Sequence, residues 1–159
     1  MMGSLSVFMT TIDDSLIKPF AIPVRVYYED TDVGGVVYYA NYLKFMERAR
    51  TEWLRARGFE QDVLRANEGL IFAVRSATLQ YLRPARFNDE LAVSAQPTEI
   101  TRATFTFAQR VCRVDQRALV DIRPNNQVLC EGEIKIACLD ADTLRPRRLP
   151  EAFLKELTR

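Results

Sequence analysis

Histidine does not occur anywhere in the 159 residues. Without imidazole there can be no Ser-His-Asp or Cys-His nucleophile pair and no His-ligated zinc. The usual proton shuttle of neutral pH is missing as well. Any acid–base chemistry therefore falls to carboxylates, Tyr, Lys, Cys, water or backbone dipoles. Cysteine is scarce: Cys112, Cys130 and Cys138 are odd in number and form no C-x-x-C. That spacing argues against a disulfide framework and against a zinc site, so no metal is expected. All three lie in apolar, strand-like runs and read as buried, inert thiols. No run approaches 18 apolar residues, so no transmembrane helix is expected. Neither charge sign dominates: 22 basic against 21 acidic side chains leave +1, with no Lys/Arg tract. Nucleic acid is therefore not an expected partner.

What is present is an ordinary globular composition, 48% hydrophobic and 27% charged, in a length that suits one domain. Residues 1–20 lack periodicity and have no basic n-region; they are expected to form a flexible N-terminal arm and not a secretory leader. A single domain is expected over 21–159. The absence of a disulfide pattern makes the cytoplasm the expected location.

Ile22, Val24, Val26 and Tyr28 alternate onto one face of a strand, with Pro23 near its start, where a missing N–H costs least. Glu29-Asp30-Thr31-Asp32-Val33-Gly34-Gly35 then forms an acidic, glycine-rich loop. From Val37 to Arg57, Tyr38, Tyr42, Phe45, Met46, Ala49 and Trp53 recur at helical spacing, and Gly58 stops the helix. On this helix Trp53 reads as core and Glu47 as a solvated or ion-paired group. A short helix is expected over 61–67. Afterwards the pattern is strand and hairpin. Ile71, Ala73, Ala77, Leu79 and Tyr81 align on one long strand over 69–82. Leu91, Val93 and Ala95 align over 89–100, Phe105 and Phe107 over 102–115, and Cys130, Ile134 and Ile136 over 126–140. A lengthened hairpin is expected at 116–127 and a terminal helix over 150–158. One long apolar helix among half-polar strands predicts an α+β fold, a five-stranded antiparallel sheet wrapped around a single central helix.

The chemistry-bearing stretch runs from Tyr27 through Leu43. It combines a strand end, an acidic loop, two glycines and a helix start. Glycines admit a ligand close to the backbone, and the first helical N–H groups are unpaired donors able to polarise a carbonyl. A carboxylate a few residues upstream can act on that carbonyl. The same residues also suit a plain Asp32 cap followed by a glycine turn, and a Gly-Gly pair alone does not decide between the two.

The run Tyr-Tyr-Glu-Asp-Thr-Asp-x-Gly-Gly-Val-Val-Tyr-x-Ala-Asn-Tyr-Leu-Lys-Phe-Met-Glu-Arg-Ala-Arg-Thr-Glu-Trp-Leu, from Tyr27 to Leu54, resembles the signature of the hotdog-fold acyl-CoA thioesterases. It is most similar to the YbgC-like group encoded beside the Tol–Pal envelope system and, more distantly, to 4-hydroxybenzoyl-CoA thioesterase. The likeness continues through Val74-Arg75-Ser76, Tyr81-Leu82-Arg83-Pro84-Ala85-Arg86 and Ile136-Ala137-Cys138-Leu139-Asp140. It implies a hotdog domain that hydrolyses an acyl-CoA thioester to free acid and CoA. CoA then enters as substrate, with no cofactor. Asp32 becomes the catalytic carboxylate, as nucleophile or general base, and Tyr28 its companion. Gly34, Gly35, Val37, Tyr38 and Asn41 become the elements that position substrate, with N–H groups around Val37 to Tyr39 polarising the carbonyl. Tyr39 stands where the family has histidine. That departure leaves a second possibility, a non-catalytic module that binds acyl groups, CoA or a protein. Arg75, Ser76, Arg83 and Arg86 are candidates for CoA contact, since guanidinium forks suit phosphates; Ser76 and Thr78 are candidates for the acyl pocket. The resemblance further implies a homodimer or homotetramer, with acyl carrier protein as a candidate partner.

Overall fold

The computed structural model describes residues 19–114 and 127–159; the arm expected over 1–20 and the hairpin expected over 116–127 fall almost wholly outside them. The described chain runs β1 (Ala21–Arg25), α1 (Asn41–Ala56), α2 (Gln61–Glu68), β2 (Leu70–Tyr81), β3 (Glu90–Ser94), β4 (Gln96–Ile100), β5 (Thr104–Arg113), β6 (Gln127–Asp140) and α3 (Glu151–Leu157). Every strand pairing is antiparallel, in the order β1-β3-β5-β6-β2, with β4 joined to β5.

The apolar stripe of α1 does what its spacing predicts. Tyr42, Phe45, Met46, Ala49, Trp53 and Leu54 are all buried. They pack with Val24, Leu91, Val93, Phe105, Phe107, Val111, Ile134 and Ile136 of the sheet in one hydrophobic core. Trp53 meets Phe107 edge-on, with ring centroids 5.2 Å apart. The helix ends where Gly58 takes φ +85. Gly58 N–H donates to Arg55 O and Phe59 N–H to Leu54 O, both at 3.0 Å, the double bond of a Schellman stop. From α3, Phe153 reaches Phe59 and Phe72 at 5.0 Å and Phe105 at 5.2 Å, closing one end of the core.

Three expectations change. The sheet has six strands, because the segment expected as one strand over 89–100 breaks at Ala95 into β3 and β4. The break has a side-chain cause. Ser94 O accepts Gln109 Nε2 at 3.0 Å from the core side, and Ser94 Oγ accepts the Arg110 N–H at 2.9 Å, so a side chain takes a rung of the ladder. Second, β2 carries a bulge between Val74 and Ser76. With a side-chain period of two, one extra residue flips the face. Leu70 and Phe72 therefore face the core before the bulge, in place of Ile71 and Ala73; Phe72 stands 5.2 Å from the Phe105 ring. Third, β1 stops at Arg25, and Tyr28 leaves the strand face for an exposed turn.

The three thiols are buried. Desolvation pushes Cys130 up to about 12, so it stays an inert protonated thiol at neutral pH. The core also holds one charge. Arg50 is 7% exposed, and burial pulls its pKa down. Its Nη1 donates to Gln109 Oε1 at 2.9 Å, while Gln109 Nε2 donates to Met46 O and Ser94 O, each at 3.0 Å. This single amide satisfies a guanidinium and two carbonyls. Gln109→Leu is expected to lower the unfolding free energy by about 2–4 kcal/mol, because it strands those groups. Adding Arg50→Met should recover part of the loss. Denaturant titration of both variants tests this, and a double variant less stable than the single one refutes it.

Candidate active site

The carboxylate-bearing loop is built by short-range bonds. After β1, Tyr28–Asp30 forms a 3-10 turn, closed by Tyr27 N–H donating to Asp30 Oδ2 at 2.8 Å. The chain then doubles back between bridged Thr31 and Val37. Asp32 N–H donates to Val36 O at 2.9 Å, and Gly35 N–H donates to Asp32 O at 3.0 Å. At the tip, Gly34 N–H donates to Asp32 Oδ1 at 2.8 Å, which fixes the carboxylate while Asp32 remains exposed. Gly35 is favoured by its backbone conformation and Gly34 by its close approach to the carboxylate. Gly35 has φ +76, and a Cβ on Gly34 would stand 3.1 Å from Asp32 Oδ1.

The helix that follows begins at Asn41, four residues later than its apolar pattern suggests. Backbone groups before it are claimed from elsewhere. Val37 N–H donates to Ala85 O at 2.9 Å, Tyr38 N–H to Asp30 O at 3.0 Å, and Asn41 N–H to Tyr38 O at 2.8 Å. Asn41 Nδ2 adds a second donor to Asp30 O at 2.9 Å, so this amide ties the helix to the acidic loop. Among the described residues, the N–H groups of Tyr39 and Ala40 meet no acceptor. Of the three donors expected around Val37 to Tyr39, two are thus occupied. Ahead of the helix the free N–H groups are those of Tyr39 and Ala40, and within its first turn the Tyr42 N–H also meets no acceptor among the described residues.

The aromatic residues divide into two groups. Tyr28, 81% exposed, lies edge-on to Phe87 at 6.0 Å and makes no hydrogen bond to Asp32. Tyr38, Tyr39, Tyr42 and Tyr81 form a cluster with centroid separations of 4.8 Å for Tyr38–Tyr39, 6.3 Å for Tyr39–Tyr81 and 5.5 Å for Tyr42–Tyr81. The Tyr39 phenol, by hydrogen bonding first and charge second, raises the pKa of Tyr38. Burial raises that of Tyr42. Both remain protonated at neutral pH.

A turn after β2 braces the loop from the other side. Ala85 N–H donates to the buried Tyr42 hydroxyl at 3.0 Å, and Val36 is bridged to Arg86. Arg86 N–H donates to Asp89 Oδ2 at 2.8 Å. From β5, Arg113 donates through Nε to Asp89 Oδ2 at 3.0 Å and through Nη2 to Pro84 O at 2.7 Å. Arg86 therefore lies against the Asp32 loop by its backbone, its side chain exposed, and Arg83 Nη1 donates to Val128 O at 3.4 Å. Arg75 and Ser76 sit at the β2 bulge, exposed, roughly 20 Å along the strand from Tyr81. Thr78 is exposed on the same strand, and Glu47 accepts from Thr51 Oγ1 at 2.9 Å. Trp53 is core. Tyr81, Ala85, Asp89 and Arg113 carry no local signature of a site; only the pairing of distant segments assembles them, although the run from Tyr81 to Arg86 belongs to the resemblance. Among the described residues, no group of three or more Cys, Asp and Glu side chains is placed to hold a metal ion.

The described chain thus carries a bonded, exposed carboxylate at Asp32 and N–H groups without acceptors at the start of α1, on an antiparallel sheet packed over one long helix. The model of the thioesterase-like superfamily matches residues 26–157. The Escherichia coli (strain CFT073) acyl-CoA thioester hydrolase YbgC is 42% identical over 137 residues, 86% of this chain and 94% of that protein. The Haemophilus influenzae acyl-CoA thioesterase YbgC is 41% identical over 132 residues, 83% and 89% of the two chains. A probable thioesterase of known structure from Bartonella henselae is 34% identical, with a TM-score of 0.71 over 82% of this chain and 98% of that one. A 1,4-dihydroxy-2-naphthoyl-CoA thioesterase from Synechocystis, 19% identical, shares the fold with a TM-score of 0.76 over 87% of this chain and 95% of that one. This chain belongs to the thioesterase-like superfamily, of hotdog fold, and within it to the YbgC-like group.

If Gly35 is held at φ +76 by the loop, Gly35→Ala adds about 1–2 kcal/mol of backbone strain. A drop of roughly 2–6 °C in the thermal midpoint is expected by calorimetry, and an unchanged midpoint contradicts the loop geometry.

Proposed function

We propose that this chain hydrolyses acyl-CoA thioesters, with Asp32 as the reacting carboxylate and the backbone donors of Tyr39 and Ala40 as the oxyanion site. This reading is supported by a fixed, exposed carboxylate on the loop that leads into α1, together with the Tyr39 and Ala40 N–H groups at the head of that helix, which have no acceptor among the described residues. A thioester carbonyl seated on those donors, at the positive end of the α1 dipole, becomes more electrophilic, and negative charge developing on its oxygen is stabilised. Asp32 then either attacks the carbonyl carbon or takes a proton from water. In the first route the C–S bond breaks, CoA thiolate leaves, and water cleaves the resulting mixed anhydride. In the second, the activated water attacks directly, the C–S bond of the tetrahedral intermediate breaks, the acid and CoA thiolate leave, and Asp32 returns its proton to the thiolate or to solvent. A thiolate leaves readily without a strong acid to protonate it, which suits a site where Tyr39 replaces histidine. Exposed Arg83 and Arg86, on and beside the bracing turn, are proposed to meet phosphates of the CoA moiety by their guanidinium forks.

Asp32→Asn is expected to keep the fold and to lose at least about 100-fold in kcat/KM across short, long and aromatic acyl-CoAs. Equal turnover by the variant removes Asp32 from the chemistry. A wild-type protein that binds CoA yet turns over none of the panel supports the binding-module alternative that Tyr39 suggests.

We further propose a homodimer through β2. Among the described residues this edge strand pairs only with β6; it spans 12 residues and leaves Val74 55% exposed. Long open edges of this kind are usually covered. Light scattering at micromolar concentration should report twice the monomer mass or a multiple of it; a monomer contradicts the proposal.

A further inference from the structure

Tyr81 is the last residue of β2, 49% exposed and distant in sequence from the acidic loop. Its hydroxyl donates to the backbone oxygen of Tyr39 at 3.0 Å. That contact falls on the residue whose own N–H is one of the two free donors. The peptide before Tyr39 is already fixed, because Tyr38 O accepts the Asn41 N–H at 2.8 Å. The peptide after it has no helical or turn bond to its carbonyl and depends on the phenol. In a trans peptide the C=O and the following N–H point in opposite directions. Holding Tyr39 O therefore sets where Ala40 N–H points and limits the ψ rotation at Tyr39.

The ring of Tyr81 is held independently of its hydroxyl. It lies edge-on to Tyr39 at 6.3 Å and to Tyr42 at 5.5 Å, and Tyr42 is itself pinned by the Ala85 N–H at 3.0 Å. Packing thus places the ring, and the hydroxyl alone reaches the peptide. Burial, with neighbouring Cys130 and the phenols of Tyr39 and Tyr42, raises the Tyr81 pKa, so the hydroxyl keeps its proton as a donor throughout the neutral range.

We propose that Tyr81 is a positioning residue of the thioesterase site, whose hydroxyl orients the Tyr39–Ala40 peptide so that the Ala40 N–H joins the independently fixed Tyr39 N–H in pointing at the reacting carbonyl oxygen. This rests on the acyl-CoA hydrolase function proposed above. The effect belongs to the transition state more than to substrate binding, because hydrogen bonds to the carbonyl oxygen strengthen as charge develops on it. It also links the exposed sheet edge to the chemistry, since the strand that ends in Tyr81 is the one left open at that edge.

Tyr81→Phe tests the proposal, because it removes one oxygen and keeps the ring. The expected result is a fall in kcat of about 10- to 100-fold, with KM within about twofold of wild type and an unchanged thermal midpoint. The backbone amide resonances of Tyr39 and Ala40 should shift in the same variant, while those of the Gly34–Gly35 turn stay in place. Unchanged kcat, or a loss expressed wholly as a rise in KM, overturns the role of Tyr81 while leaving the hydrolase function standing. Wild-type protein inactive on the whole acyl-CoA panel removes that function and this proposal together, and Asp32→Asn assayed alongside separates a failed carboxylate assignment from a failed tyrosine one.

Discussion

The peptide group of Ala85 joins the two halves of the site. Its carbonyl accepts Val37 N–H at 2.9 Å, and its N–H donates to the Tyr42 hydroxyl at 3.0 Å. One completely buried residue on a post-strand turn thereby holds both the end of the acidic loop and the first turn of α1. Val37 to Ala40 contains no proline or glycine, yet α1 begins only at Asn41. The Tyr38 N–H is committed to Asp30 O, and the N–H groups of Tyr39 and Ala40 stand without acceptors at the head of a helix whose dipole favours negative charge. Arg113 and Asp89 then act at one remove: by bonding Pro84 O and Arg86 N–H they hold the turn that presents Ala85.

The same division of labour shapes the sheet. Side chains displace backbone rungs at Ser94, and the amide of Gln109 reaches across to α1 as well as to Arg50. A buried guanidinium without a carboxylate partner is costly, and apolar replacements of similar volume often do better. Its effect here is geometric. The bonds from Gln109 to Met46 O and Ser94 O lock the middle of α1 against the point where β3 gives way to β4. The helix that carries the free donors is thus fixed along its length by polar contacts and at its C-terminal end by the Gly58 stop. Hydrophobic burial supplies the driving force, but it is tolerant of small sliding and rotation. Directional bonds are what hold a helix N-terminus to a particular azimuth.

How far the sequence speaks for this molecule depends on the distance over which each feature is decided. The α1 stripe from Tyr42 onward and the Gly58 stop follow from neighbours within a few residues, and the structure agrees with them. Tyr38 lies exposed ahead of the helix, and Thr104 and Thr106, on the expected outer face of β5, are buried. The division of β3 from β4 does not, because the residues that break the strand at Ser94 include Gln109, fifteen positions away. The β2 bulge is invisible for another reason: Ile71/Ala73 and Phe72/Val74 are both apolar pairs, so the pattern carries no phase until β6 supplies a register. At the site, the Asp32–Gly34–Gly35 turn is local chemistry and is legible, and Asn41 stands out by its place in the motif. Which N–H groups remain free is not legible, because the carbonyls of Ala85 and Asp30 decide it through contacts between separated segments.

The missing histidine gains its meaning from that geometry. An imidazole in such a site would serve to take a proton from water or to hold a carboxylate in position. In this loop the carboxylate is already held, by Gly34 N–H at 2.8 Å, and the oxyanion donors need no titrating group. The remaining demand is a base or nucleophile, and an aspartate meets it when the leaving group is a thiolate. An oxygen ester or an amide would ask more, because an alkoxide or amine leaving group requires protonation, and in the proposed site that proton would have to come from water or from Asp32 after it has taken one. The proposed chemistry is therefore best matched to activated acyl groups such as thioesters, where the leaving group makes that demand small.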